Sequence, residues 1–164
     1  MNYYDAETRQ RDKNALDTFK KLLGLEHFGW KFGAIMVLIS MIIFVVVSII
    51  FIIMGSAYIS SGSYTDPPGE MFIAMGITYL VVSLTMLSPL MIICFSMIKK
   101  VEYYQSTVDT DISIARTRCT SVGMLVFCVI FNTLAAIFFI INFAKTKNNA
   151  GSFDRIAAAQ RGAI

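Results

Sequence analysis

The sequence predicts an all-α membrane protein. It reads as a three-transmembrane-helix bundle with an N-terminal interfacial amphipathic helix and a cytoplasmic extension of the helix 2/helix 3 hairpin. Three observations lead there. Of 164 residues, 56% are hydrophobic and only 15% are charged, whereas a soluble domain carries about 25% charged residues. Three runs contain no Asp, Glu, Lys or Arg: 32–65, 71–98 and 119–144. Each exceeds the roughly 20 apolar residues that a helix rising about 1.5 Å per residue needs to cross a bilayer. Finally, Lys and Arg are unevenly placed: six precede the first run, none follows it before the second, four separate the second from the third, and four follow the third.

Cations accumulate on the cytoplasmic side of short membrane proteins. That rule puts the N-terminus and the second connection in the cytoplasm and the first connection outside. Ten of the 14 Lys and Arg residues then lie inside. Three crossings leave the four cations of the tail outside. Either the tail is a tolerated exception, or one apolar run is not a full crossing.

The expected organisation is a polar N-terminus and interfacial helix over 1–29, a membrane domain over 30–144 and a polar tail over 145–164. Residues 1–12 read as irregular. No short apolar core near the start suggests a cleavable signal, so insertion would rely on the first span. From Asn14 a helical period appears, with Ala15, Leu16, Phe19, Leu22 and Leu23 on one face. A basic amphipathic helix beside a membrane lies in the interface plane; packing against a cytoplasmic part of the same chain or a partner is the alternative. The first span covers about 30–57, with Trp30 and Tyr58 spaced as interface anchors. Gly29 and Gly33 form a GxxxG pair at its start, suited to close helix approach or to a hinge. The outer connection "SSGSYTDPPGE" contains Gly62, Pro67, Pro68 and Gly69, which break helices. Its Asp66 and Glu70 are too few for the six or more oxygen ligands of a calcium site. The second span covers about 71–100 and is kinked at Pro89, which removes a backbone donor near Thr85.

Past Ile98 the chain reads "KKVEYYQSTVDTDISIARTRCTSVG". No Pro or Gly interrupts it between Lys99 and Arg118. Val101, Tyr104 and Val108 keep helical spacing; Asp109 suits an N-cap, with Asp111 in the first turn. Ile112, Ala115, Cys119 and Val122 then lead into the third span, about 119–144. The expectation is a helical hairpin standing in the cytoplasm and closed by two apolar stripes. The order of span proline, basic aromatic exit, polar turn and glycine-containing re-entry in "SPLMIICFSMIKKVEYYQSTVDTDISIARTRCTSVGMLVF" resembles an uncharacterised family of small multi-span bacterial inner-membrane proteins, a domain of unknown function. The resemblance is a loose pattern of spans and loops over residues 14–144. It implies a helical bundle in a bacterial cytoplasmic membrane and carries no catalytic residues over. Tyr103 and Tyr104 stand where longer aliphatics are usual.

Chemistry is sparse. Intramembrane ionisable residues mark transport and proton relay, and the three runs hold none. No His/Asp/Glu/Cys constellation suggests an enzyme, a cofactor or a metal. Cys94, Cys119 and Cys128 read as small buried hydrophobes, with palmitoylation of a juxtamembrane Cys119 a minor alternative. Met71 and Met75 are spaced for copper(I), but no methionine-rich outer segment or His/Cys cluster accompanies them. No basic patch suited to nucleic acid stands apart from the membrane flanks. Asn132, near the middle of the third span, needs a hydrogen-bond partner in hydrocarbon: the carbonyl freed by Pro89, or a symmetry mate. The structural or interaction candidates are therefore Pro89, Asn132, Val101, Tyr104, Ile112, Gly29 and Gly33. Expected partners are the lipid bilayer and a membrane or cytoplasmic protein, or further copies of the chain. The expected role is a non-enzymatic scaffold or accessory subunit, with an oligomeric pore as the alternative. The alanine-rich tail helix, 154–160, is too short to be stable without a surface to pack on.

Overall fold

The computed structural model describes residues 3–62 and 68–162. The centre of the first connection, with Asp66 and Pro67, lies outside the described residues. The described chain is helical, with no strand among its elements: α1 (Tyr3–Ser60), α2 (Gly69–Val82), a π-helical turn (Ser83–Leu87), α3 (Ser88–Thr107), α4 (Ile112–Cys119), α5 (Val122–Phe131), α6 (Thr133–Asn148) and α7 (Ala150–Gln160). Two helical stretches are long and apolar enough to cross a membrane, Ala6–Ser60 and Gly69–Thr107. A third exists only if α4 and α5, bent by 64° at their junction, count as one span. The chain divides into two compact units, one of residues 34–94 and one of the described residues on either side.

The unit of residues 34–94 is a pair of apolar helices. Glycine lets them approach closely. A Cβ on Gly55 would lie 2.5 Å from the Gly69 carbonyl oxygen, and one on Gly76 would lie 2.7 Å from that of Ser48. The Ser48 hydroxyl donates to the Gly76 carbonyl at 2.6 Å. Phe44, Tyr79, Phe51, Phe72 and Tyr58 form a ladder of ring contacts along the same seam. The outward faces carry Ile, Val, Leu and Met left exposed by the protein. Pro89 acts as a local backbone perturbation, as its missing donor requires, and the helix absorbs it in the π-helical turn just before it. The Thr85 hydroxyl donates to the Val81 carbonyl at 2.8 Å.

The other unit begins with the first half of α1. Helix starts at Tyr3, so the expected irregular segment is not found. Arg11 pairs with Glu7 at 3.0 Å and Gln10 bonds Asn14, i,i+4 contacts that support a helix in polar sequence. The helix passes through Gly29 and Gly33 without a break. The interfacial placement of its apolar stripe is also corrected. Ala15, Phe19 and Leu23 are buried in a core with Val108, Ile112, Ala115, Cys119, Phe153 and Ala157. The stripe faces protein because α4 and the tail helix α7 offer it an apolar surface. Phe19 and Phe153 meet edge to face, with centroids 5.3 Å apart.

The helix of the second apolar run does carry on past Lys99 and Lys100, reaching Thr107. A short turn leads to α4, whose N-cap is Asp111 rather than Asp109: its carboxylate accepts from the Ser113 backbone N–H at 3.0 Å. Asp109 instead accepts from Lys20 Nζ at 2.5 Å. The tail helix α7 finds its surface inside the protein. Gln160 donates to the Val108 carbonyl and accepts from the Ile112 N–H, both at 2.8 Å. Asp12 accepts two hydrogen bonds from Arg155, at 2.9 and 2.5 Å.

The third apolar run departs most from expectation. It is no single helix over 119–144. Ser121 caps α5, and Asn132 closes α5 and caps α6. Asn142 Nδ2 then donates to Cys119 Sγ at 3.5 Å. Ten residues of α5 rise about 15 Å, and the ten residues from Asn132 to Asn142 rise about the same. Their ends meet only if α6 folds back along α5. The run is a short helical hairpin with Asn132 at its apex and Cys119 and Asn142 at its base.

The Arg155 hydrogen bonds hold the Asp12 carboxyl below its ordinary range. A depressed carboxyl stabilises the fold above its unfolded value, near pH 3.9, and that stabilisation is lost as pH falls through the lower folded value. Asp12→Asn should therefore expose α7 to proteolysis at neutral pH at a cost of about 1 kcal/mol or less, since Arg155 is half exposed. The difference from wild type should shrink below about pH 4.

Candidate functional site

The hairpin is fixed to α1 at two levels. At the apex, Asn132 Nδ2 donates to the Gly29 carbonyl at 3.0 Å, while its Oδ1 accepts from the Ala135 N–H at 3.0 Å. A Cβ on Gly29 would lie 2.9 Å from Ala135 Cα, and one on Gly33 would collide with the Asn132 amide. The GxxxG pair is thus the groove in α1 that receives the apex. Asn132 is the intramolecular tie expected of it, but its partner is Gly29 and not the carbonyl near Pro89.

At the base, Glu26 and Arg118 form a buried ion pair. Glu26 is 0% exposed and Arg118 is 7% exposed. The pair is bidentate: Nη1 donates to Oε2 at 3.0 Å and Nη2 donates to Oε1. Trp30 Nε1 adds a longer donation to Oε1 at 3.4 Å. The guanidinium lies over the rings of Tyr104 and Phe139, 5.0 and 5.4 Å from their centroids. Planar, weakly hydrated Arg suits such a site better than Lys. Next to it stand Cys119, Asn142 and Thr146, all buried, with the Thr146 hydroxyl donating to Asn142 Oδ1 at 3.4 Å. Nearer the surface, His27 Nε2 lies 3.0 Å from Glu102 Oε1.

The sequence-derived candidates fall into three groups. Gly29, Gly33 and Asn132 meet at the apex. Val101 and Ile112 are fully buried, and Tyr104 packs beside the same core under Arg118; these three face inward and hold the unit together. Pro89 belongs to the other unit. Two further expectations are corrected. Trp30 is fully buried, so it is no interface anchor; its indole N–H finds a partner in Glu26. Cys119 is fully buried under α6, which leaves no exposed thiol there for acylation. Among the described residues, no group of three or more His, Cys, Asp or Glu is placed to hold a metal.

Sequence reasoning missed Glu26 and Arg118. The signal was present: Glu26 follows Leu22 and Leu23 at i+4 and i+3, and Arg118 follows Ala115 at i+3. A carboxylate and a guanidinium on two apolar stripes that must face each other should pair, because an isolated buried charge is too costly.

The fold class is therefore that of a helical protein with candidate membrane-crossing helices and a charged helical unit pinned by a buried ion pair. Comparison with known protein families, curated proteins and solved structures finds no match.

Removing one partner of a buried pair costs about 3–5 kcal/mol, whereas replacing both with apolar or neutral groups is often close to neutral. Glu26→Gln and Arg118→Met should each lower the unfolding midpoint in detergent steeply. The double variant should recover most of that loss; simple additivity would show that the two side chains do not depend on each other.

Proposed function

We propose that the chain is an integral membrane protein with two crossings, and that its third apolar run enters and leaves through one face. The observation that carries this is the closure of the hairpin at Cys119 and Asn142. A hairpin about 15 Å deep is half of a hydrocarbon core of roughly 30 Å. Its sides carry exposed Val122, Val126, Val129, Ile130, Ile137 and Ile140, a surface suited to lipid. The break at Asn132 is buried against α1, as non-helical backbone at membrane depth must be. This topology also resolves the charge count. All 14 Lys and Arg residues lie outside 34–94, so two crossings and a re-entrant hairpin put every one on the same face. The positive-inside rule makes that face cytoplasmic. Assignment to a bacterial inner membrane rests on the span-and-loop resemblance alone.

On this reading the protein is a non-enzymatic scaffold or accessory subunit. Among the described residues the buried charges, Glu26 and Arg118, neutralise each other and are anchored by neighbouring rings, which suits a fixed platform better than a reactive centre. Val101, Tyr104 and Ile112 support that platform from within, so a protein partner would meet its outer surface, where Tyr103 is 55% exposed. An oligomeric pore would draw on polar faces of two crossings, and a third run that folds back supplies no second wall. Purified protein reconstituted in liposomes should release no encapsulated dye. A stoichiometric membrane or cytoplasmic protein should co-purify with the wild type and be lost with Tyr103→Glu at unchanged thermal stability. Dye release by the pure protein, with no such partner, would replace the scaffold reading by the pore.

A further inference from the structure

A cleft of about 170 Å³ opens between the first half of α1, the end of α6 and the start of α7. Two cations line it, Arg11 and Lys145, together with Asn14 and Asn149, Thr18 and Thr146. None of the described lining residues is acidic. Of the carboxylates on the same part of α1, Asp12 binds Arg155, and Glu7 pairs with Arg11 at 3.0 Å on the surface. Both members of that Glu7–Arg11 pair are largely exposed, and such a pair contributes at most about 1 kcal/mol, so Arg11 can exchange it for a better anion. The Thr18 and Thr146 hydroxyls already donate to the Asn14 carbonyl and to Asn142 Oδ1, so the guanidinium, the ammonium and the side-chain amides are the donors, a set suited to phosphate oxygens. The volume equals roughly five or six waters at about 30 Å³ each, room for a phosphate and a small substituent.

We propose that this cleft binds a phosphate-bearing anion, with the headgroup of an anionic phospholipid as the source its position favours. Lys145 lies one turn beyond Ile140 and Ile141, which are 45% and 41% exposed on α6. The cleft therefore begins where the apolar helix surface ends, the level at which a lipid presents its phosphate. Basic side chains at that level attract anionic headgroups. The site needs no protein partner, and only its lipid source rests on the proposed membrane placement of α6; anion binding itself does not.

The test uses the full chain in a neutral detergent, titrated with short-chain phosphatidylglycerol, short-chain phosphatidylcholine or inorganic phosphate. Bound ligand is counted by native mass spectrometry, and the unfolding midpoint is read in parallel. Two double variants are compared, Arg11→Gln/Lys145→Gln in the cleft and Lys13→Gln/Lys147→Gln outside it. Phosphatidylglycerol should bind in preference to phosphatidylcholine. The cleft variant should weaken it about tenfold or more, the loss of two charge-assisted contacts, and the control variant about twofold at most. Inorganic phosphate binding with the same dependence on Arg11 and Lys145, without preference for the lipid, would support the anion site and assign it a soluble ligand. Equal losses in both variants would reduce the effect to net charge and overturn the proposal, as would no binding in either arm. Unchanged unfolding midpoints without ligand establish that both variants are folded.

Discussion

Asn132 is the residue on which the rest of the structure depends. One side chain ends α5, starts α6 and ties the turn between them to the α1 backbone at Gly29. A helix interrupted in an apolar run leaves polar backbone groups without partners, and lipid cannot supply any. The amide fills that need from both ends, donating to one helix and capping another. Glycine at positions 29 and 33 lets it reach a backbone carbonyl. With the apex held there, the chain must return along α5.

Everything after the turn follows from that return. Asn142 comes back to Cys119, and Phe139 comes to lie against the guanidinium of Arg118. Lys145 and Lys147 follow at the end of α6, so the tail helix α7 is delivered to the first half of α1 and to α4. Phe153 and Ala157 complete the core that Ala15, Phe19 and Leu23 begin. The buried Glu26–Arg118 pair sits at the base of the hairpin and fixes its register on α1. Its energetic contribution over an apolar replacement is small by general experience, and specificity is the better account of such a pair: only one rotation of α4 brings Arg118 to Glu26.

Much of this was legible in the sequence. The apolar runs, the continuation of helix beyond Lys99, the stripe of Ala15, Phe19, Leu22 and Leu23, and the close approach at Gly29 and Gly33 all follow from spacing and composition. The partners of these features were not legible. The α1 stripe reads equally well as lipid-facing or protein-facing, because periodicity shows which face is apolar and not what covers it. Asn132 reads as a polar residue within a span, because uncharged length resembles a crossing whether the helix runs on or turns back. The charge count bears on the proposed topology: three crossings leave the four tail cations outside, and two crossings would not. Glu26 and Arg118 escaped because each lies just outside an uncharged run, where charge is expected to be solvated.

The most direct test of this account is the side on which the two chain ends lie. With protease-cleavable tags at both termini of the full chain, in sealed vesicles of one orientation, both tags should be cleaved from the same face and both protected from the other. Cleavage of the two tags from opposite faces would mean that the third apolar run crosses the membrane, and would contradict the fold-back at Asn132.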